Sequence, residues 1–210
     1  MEPLSDIERP VAVIGADDTF LLERLPGVMT TSLSAETAIR SGFDVFMVKP
    51  PQGRREARDL IRLAEEAGVR VGFPRWLRRQ KVQAGAYSLV SIVAGVECGL
   101  DHLLDLAMWL SGCGGVQRLE AETSGGCTSV VLVGHASQIM AIQTTRAMEG
   151  LRVSVEGGSG AAGVEDLAYD AESGLGDELR LFASGSADSV FLEDSIDLVS
   201  VLERVAARVR

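Results

Sequence analysis

One histidine and two carboxylates open the stretch Gly99 to Gly112, Gly-Leu-Asp-His-Leu-Leu-Asp-Leu-Ala-Met-Trp-Leu-Ser-Gly, which is otherwise apolar. His102 and Asp105 are three apart, so on a helix they share a face, while Leu103, Leu104, Leu106, Ala107 and Leu110 leave little polar surface. A helix of this composition is buried. Ionisable groups at its mouth are either satisfied by neighbours or line a cavity where they meet a ligand. In the first case His102 only anchors the helix. In the second it is a proton carrier near neutrality. Lys49, which closes the apolar run Phe43 to Val48, raises the same choice: a lysine ending a buried parallel strand is costly unless used, or its ammonium reaches out to solvent.

Bulk properties narrow the chemistry. The chain has 210 residues, 46% hydrophobic, with a net charge of −10, enough apolar content for a real core and no basic stripe to grip a phosphate backbone. Nucleic acid is excluded as a partner on this ground. No apolar run approaches the ~20 residues that cross a bilayer. Met1 to Pro10 carries three carboxylates and one arginine, the wrong charge for an export signal. A cytoplasmic protein is expected, with no membrane contact. Cys98, Cys113 and Cys127 are odd in number without CxxC spacing, as reduced thiols are, and with His102 and His135 they make no recognisable metal site. Arg54, Arg55, Arg75, Arg78, Arg79 and Lys81 form the basic cluster and read as a solvated face or an inter-domain contact, with an anionic ligand as the alternative.

The elements that must position these residues fall into two parts. In the first, Val11 to Ile14 is a short strand ending in Gly15. Thr19 to Leu25 is one or two helical turns, Ser34 to Ser41 is helical, and Phe43 to Val48 is a strand closed by Lys49-Pro50-Pro51. Arg54 to Ala67 is an amphipathic helix with Ala57, Leu60, Ile61, Ala64 and Ala67 on one stripe and Gly68 at its C-cap, followed by a strand at Val69 to Phe73. Strand, helix, strand at this spacing predicts parallel pairing. The second part is mostly β: Ser88 to Val93, Val116 to Thr123, Ser129 to Val133, Ile139 to Thr145, Leu151 to Glu156 and Glu178 to Ala183, closed by a helix over Ser195 to Val209.

Three segments together resemble one family. Lys49-Pro50, the helix from Arg55 to Ala67 with Gly68-Val69-Arg70, and Gly72-Phe73-Pro74-Arg75-Trp76 are similar to the stretch after the Glu-Lys-Pro signature of the Gfo/Idh/MocA oxidoreductases. His102-Leu-Leu-Asp105-Leu-Ala-Met-Trp109-Leu-Ser-Gly112 resembles that family's His-x-x-Asp-x-x-x-Trp-Leu-x-Gly helix. Arg152-Val-Ser-Val-Glu-Gly157-Gly-Ser-Gly160 resembles its later strand and glycine turn. The resemblance implies an α/β + α+β architecture. Residues 1–76 would form a truncated Rossmann-like parallel part, and 77–210 a predominantly antiparallel open-sheet domain with flanking helices, whose open face mediates a homodimer. It also implies hydride exchange between a nicotinamide cofactor and a sugar, polyol or ketone. Lys49 would polarise the substrate oxygen, while His102 and the residue four before it, Cys98, stand where the family handles protons.

The chain also departs from the family. Gly15-Ala16-Asp17-Asp18-Thr19-Phe20 retains only the first glycine of a dinucleotide turn and puts carboxylates where two phosphates would lie. Only 34 positions separate Gly15 from Lys49, barely one βαβ unit, so the adenosine-binding part is read as missing. Val48 replaces the family's glutamate, and Glu97 and Asp101 flank Cys98 as substitutes. The expectation drawn from these changes is a cofactor-independent acid/base enzyme, a lyase, isomerase or cyclase acting on a small metabolite. It would use Lys49, His102, Cys98 and a carboxylate from Glu97, Asp101 or Asp105, and no cofactor. Two alternatives stay open: an NAD or NADP oxidoreductase with an atypical site, and a non-catalytic dimerising module or partner of a full-length relative.

Overall fold

The computed structural model describes residues 9–15, 25, 27–80, 85–158, 162–186 and 191–209. They form two compact units, Met1–Trp76 with Ala171–Val199, and Leu77–Asp170 with Ser200–Arg210. Ala171–Val199, which the sequence analysis counts with the second part, thus clusters with the first.

The first unit is built on a parallel sheet of β1 (Val11–Ile14), β2 (Val28–Thr30), β3 (Asp44–Met47) and β4 (Val71–Gly72), in the order β2-β1-β3-β4. Its strands are apolar on both faces, as a parallel sheet covered on both sides requires. Ala12, Val45 and Met47 face α1 (Ala35–Arg40), α2 (Arg54–Ala67) and the Leu192–Val199 segment. Val11, Val13 and Phe46 face α4 (Ala171–Ala183) through Leu179, Phe182 and Ala183. Capping fixes the helix bounds: Ser34 Oγ accepts the Thr37 N–H at 3.2 Å at the start of α1. Gly68, at φ 63°, ends α2 in the left-handed region.

Glu178 to Ala183 is helix and not strand, which corrects the sequence reading. Its short apolar alternation imitates a strand, but Leu175, Leu179 and Phe182 at i, i+4 and i+7 make a stripe that buries against the sheet. Phe182 packs on Phe46, ring centroids 5.5 Å apart, and lies over Gly72. The Arg70 guanidinium stacks on the same ring and holds the buried Asp44 carboxylate, Nε to Oδ2 at 2.8 Å.

The second unit carries a six-stranded mixed sheet of β5 (Leu89–Gly95), β6 (Val116–Ser124), β7 (Cys127–Gly134), β8 (Ile139–Thr145), β9 (Leu151–Glu156) and β10 (Gly163–Leu167), ordered β10-β9-β5-β8-β7-β6. All pairs are antiparallel except β5 with β8. One face, with Val90, Ile92, Met140, Ile142, Val130, Leu132 and Val153, is buried, and α3 (Leu100–Ser111) packs against β5 and β8. The opposite face alternates Val93, Ala141 and Val131 with Ser91, Gln143 and Glu120, and leaves Val131 and Ile139 exposed. Among the described residues no helix is long and apolar enough to cross a membrane.

A Cβ at residue 72 would come within 2.5 Å of Phe182 Cδ2, in a ring also contacted by Phe46 and Phe191. Gly72→Ala is therefore expected to cost about 1–3 kcal/mol in denaturant unfolding. An unchanged midpoint would show that α4 shifts freely on the sheet.

Candidate functional site

In the first unit the chain crosses from β1 toward β2 on one side and returns to β3 on the other, so the carboxyl ends of β1 and β3 flank the point where strand order reverses. Open α/β sheets bind ligands at that crevice. Gly15 sits there at φ +82°, where only glycine turns without strain, and a Cβ on it would lie 4.0 Å from the Lys49 backbone nitrogen. The Val48 N–H donates to Ile14 O at 2.9 Å and keeps the two strand ends together. Lys49 itself is exposed just past β3, and Pro51 behind it is buried.

β2, which the sequence reading did not anticipate, pairs in parallel with β1, Val11 opposite Val28. It ends in Thr30, Thr31 and Ser32, hydroxyls in place of the carboxylate that ends the second strand of many NAD sites. A groove of about 680 Å3 runs between α1 and α2, lined by Ser34, Arg40, Gln52, Gly53, Arg55 and Leu60 among others. The second strand and the space beside its helix are thus present. Gly15 and the Lys49 main chain fit the close approach that a dinucleotide makes at a switch point. Ala16, Asp17, Asp18, Thr19 and Phe20, on which the expectation of a disabled turn rests, lie outside the described residues.

In the second unit the predicted cluster gathers where β5 meets α3. Glu97 folds over Gly95 and accepts the Gly150 N–H at 3.1 Å, while Gly95 N–H donates to Gly150 O at 2.8 Å. Cys98 is buried below it, its Sγ 3.5 Å from Gly150 O and 4.0 Å from Glu97 Oε1. Burial, then the Glu97 charge, push its thiol up to about 11, against the lowering effect of a backbone hydrogen bond at Gly95. Asp101 and His102 are half-buried in the first turn of α3. Asp105, one turn on, is 2% exposed and held by both arms of the Arg78 guanidinium, Nη2 to Oδ1 at 2.6 Å and Nε to Oδ2 at 2.7 Å. Its geometry is that of an anchoring ion pair.

Tyr169, which sequence reasoning missed, joins this cluster from the segment after β10, its Oη accepting the Gly99 N–H at 3.0 Å. No local signal links it to the helix, because the contact spans 70 positions. Burial raises the phenol, the Gly99 hydrogen bond lowers it, and the charges of Cys98, Asp101 and Glu97 raise it further, for a net upward shift. Among the described residues no group of three or more His, Cys, Asp or Glu is placed to hold a metal ion.

Neither a family model nor a curated protein matches the sequence. Solved structures do match. UDP-N-acetylglucosamine 3-dehydrogenase GnnA from Acidithiobacillus ferrooxidans aligns over 96% of this chain and 97% of its own, with a TM-score of 0.69 at 13% identity. GenD2 from gentamicin A biosynthesis, solved in complex with NAD, aligns over 95% and 94%, with a TM-score of 0.68 at 16% identity. WlbA dehydrogenase from Bordetella pertussis, solved with NADH and UDP-GlcNAcA, aligns over 86% and 75%, with a TM-score of 0.62 at 13% identity. The chain shares the fold of these proteins along nearly its whole length and nearly the whole of GnnA and GenD2.

These likenesses overturn the expectation of a cofactor-independent lyase, isomerase or cyclase, and with it the expectation of no cofactor. GnnA and WlbA are dehydrogenases, and GenD2 and WlbA were solved with NAD and NADH bound. The physical reason for the error is plain. The 34 positions between Gly15 and Lys49 are too few for a full adenosine-binding part by count, yet the interval holds the unanticipated strand β2 beside the expected helix α1.

The raised thiol makes a prediction of definite sign. An ordinary thiol titrates near 9.0, whereas Cys98 in the folded chain does so at about 11. Its contribution is fully present below pH 9 and is lost as the unfolded state alone sheds its proton. Stability measured by urea unfolding is therefore expected to fall between pH 9 and pH 10.5 more steeply in the native protein than in Cys98→Ala. Equal slopes would contradict the burial.

Proposed function

We propose that this protein is an NAD(P)-dependent oxidoreductase that interconverts an alcohol and a carbonyl on a sugar, polyol or ketone. The observation that carries the reading is the switch point, with Gly15 turned against the Lys49 main chain, in a fold shared along nearly the whole chain with GnnA and GenD2. GnnA's name and the WlbA complex with UDP-GlcNAcA support a sugar as substrate. Gly15, Thr31 and the groove beside α2 are the places in the first unit that would hold a dinucleotide, which when bound supplies the hydride acceptor or donor.

The remaining roles belong to side chains of this chain. In the first unit, Lys49, exposed just past β3, is the group suited to donate a hydrogen bond to an oxygen that gains negative charge. His102 takes the hydroxyl proton in oxidation and returns it in reduction. Cys98, held as a neutral thiol by burial and the Glu97 charge, does not replace the family's proton-handling aspartate. The net charge of −10 and three cysteines without CxxC spacing support a cytoplasmic location.

The second unit also supports a homodimer. Val131 and Ile139 are 42% and 44% exposed on the open face of the sheet, beside the partly covered Leu89, Val93 and Ala141. An uncovered apolar face on a six-stranded sheet is a liability that association removes.

Calorimetry on the full chain is expected to show micromolar affinity for NADH or NADPH, and flat titrations with both would overturn the reading. Lys49→Ala and His102→Ala should each lower turnover by roughly 100-fold or more with unchanged circular dichroism; full activity in both would remove their roles. Sedimentation should find a dimer that Ile139→Glu converts to monomer. A native chain monomeric at high concentration would dismiss the interface.

A further inference from the structure

The start of α3 lacks a local cap. Its N-cap, Gly99, has no side chain, and the first N–H groups of a helix find no partner within it. In a capping box the side chain at the third helical position reaches back to the N-cap N–H. In α3 that position is His102. The N–H is taken by Tyr169 Oη, delivered from the far end of β10. The space around Gly99 is shared by the same three groups: a Cβ there would lie 2.6 Å from Asp101 Oδ1, 3.2 Å from His102 Cδ2 and 3.4 Å from Tyr169 Oη. Glycine at 99 is thus what lets the imidazole, the carboxylate and the phenol converge.

We propose that Tyr169 is a positioning residue for His102, taking over the cap so that the first turn of α3 is fixed and the imidazole keeps a defined setting. The inference rests on His102 being the proton-handling group of the reaction proposed above. The phenol suits the task because its oxygen accepts from Gly99 while it retains its own proton, and burial keeps that proton on through neutral pH. The charged and titratable groups around the turn are Glu97 and Cys98 from the end of β5, Asp101 and Asp105 from α3 and Tyr169 from the β10 segment. Arg78, from the 3-10 turn at Trp76–Arg79, neutralises Asp105. Removing the phenolic oxygen strands the Gly99 N–H and lets Asp101 and His102 rearrange together.

The test uses the full chain with isotope-labelled histidine, read by NMR across pH 5 to 9. Only His102 and His135 report, and His135→Asn assigns them. In Tyr169→Phe the His102 ring resonances and tautomer signature are expected to change, while those of His135 stay in place. Gly99→Ala, which crowds the same three groups, is the second variant and should also displace the His102 signals. A His102 titration unchanged in both variants overturns the inference, even where thermal unfolding is lowered, because a merely structural contact would do only that. The parent reading fails separately: a chain that binds NADH or NADPH normally with His102 unmoved loses this inference alone, and one that binds neither loses the oxidoreductase reading.

Discussion

Both faces of the four-stranded parallel sheet must be kept from water, and the rest of the first unit follows from that requirement. Val11 and Val13 point one way and Ala12 the other, while in β3 Phe46 opposes Val45 and Met47. Neither strand has a polar side to offer solvent. The helices α1 and α2 cover one face, and Leu25 from the β1–β2 connection packs on the other. The cover for that face is α4, from far along the chain, with Phe182 set between Phe46 and Arg70. Once both layers are in place the strand ends are fixed, and with them the left-handed turn at Gly15 and the departure of Lys49 from β3.

The second unit solves a different problem. Its sheet needs one cover only, and α3 supplies it with an apolar body whose single buried acid, Asp105, is neutralised by Arg78. Polar chemistry is confined to the first turn, where the helix emerges beside the end of β5. There Glu97 holds the Gly150 turn, Cys98 seals the floor as a neutral thiol, and Asp101, His102 and Tyr169 share the space that glycine leaves at 99. A buried body with a polar mouth is what the run from Gly99 to Gly112 encodes.

Much of this was legible from residue order. The bounds of α2 follow from its apolar stripe and Gly68, and those of β8 and β9 from alternation between turns. Elements held by partners and not by their own pattern were not legible. β2 is three residues long and exists because β1 pairs with it; β10, Gly-Val-Glu-Asp-Leu, has no buried alternation and is held to β9 by backbone pairing and the Arg152–Asp166 ion pair at 2.6 Å. Glu178 to Ala183 misled because six residues do not distinguish a period of 2 from one of 3.6 when apolar side chains fall at both. Arg78 and Tyr169 were invisible as partners of α3, since nothing local announces a contact 27 or 70 positions away. The cofactor expectation failed for a related reason: counting residues between Gly15 and Lys49 measures chain, not strands.

The dependence of the first sheet on α4 has a consequence for how the protein is made. A ribosome delivers β1 to β4 early, but the layer over Val11, Val13 and Phe46 is not yet translated. Until Leu179 and Phe182 emerge, Val11, Val13 and Phe46 lack the packing of α4, and the nascent chain presents the kind of apolar surface that holding chaperones bind.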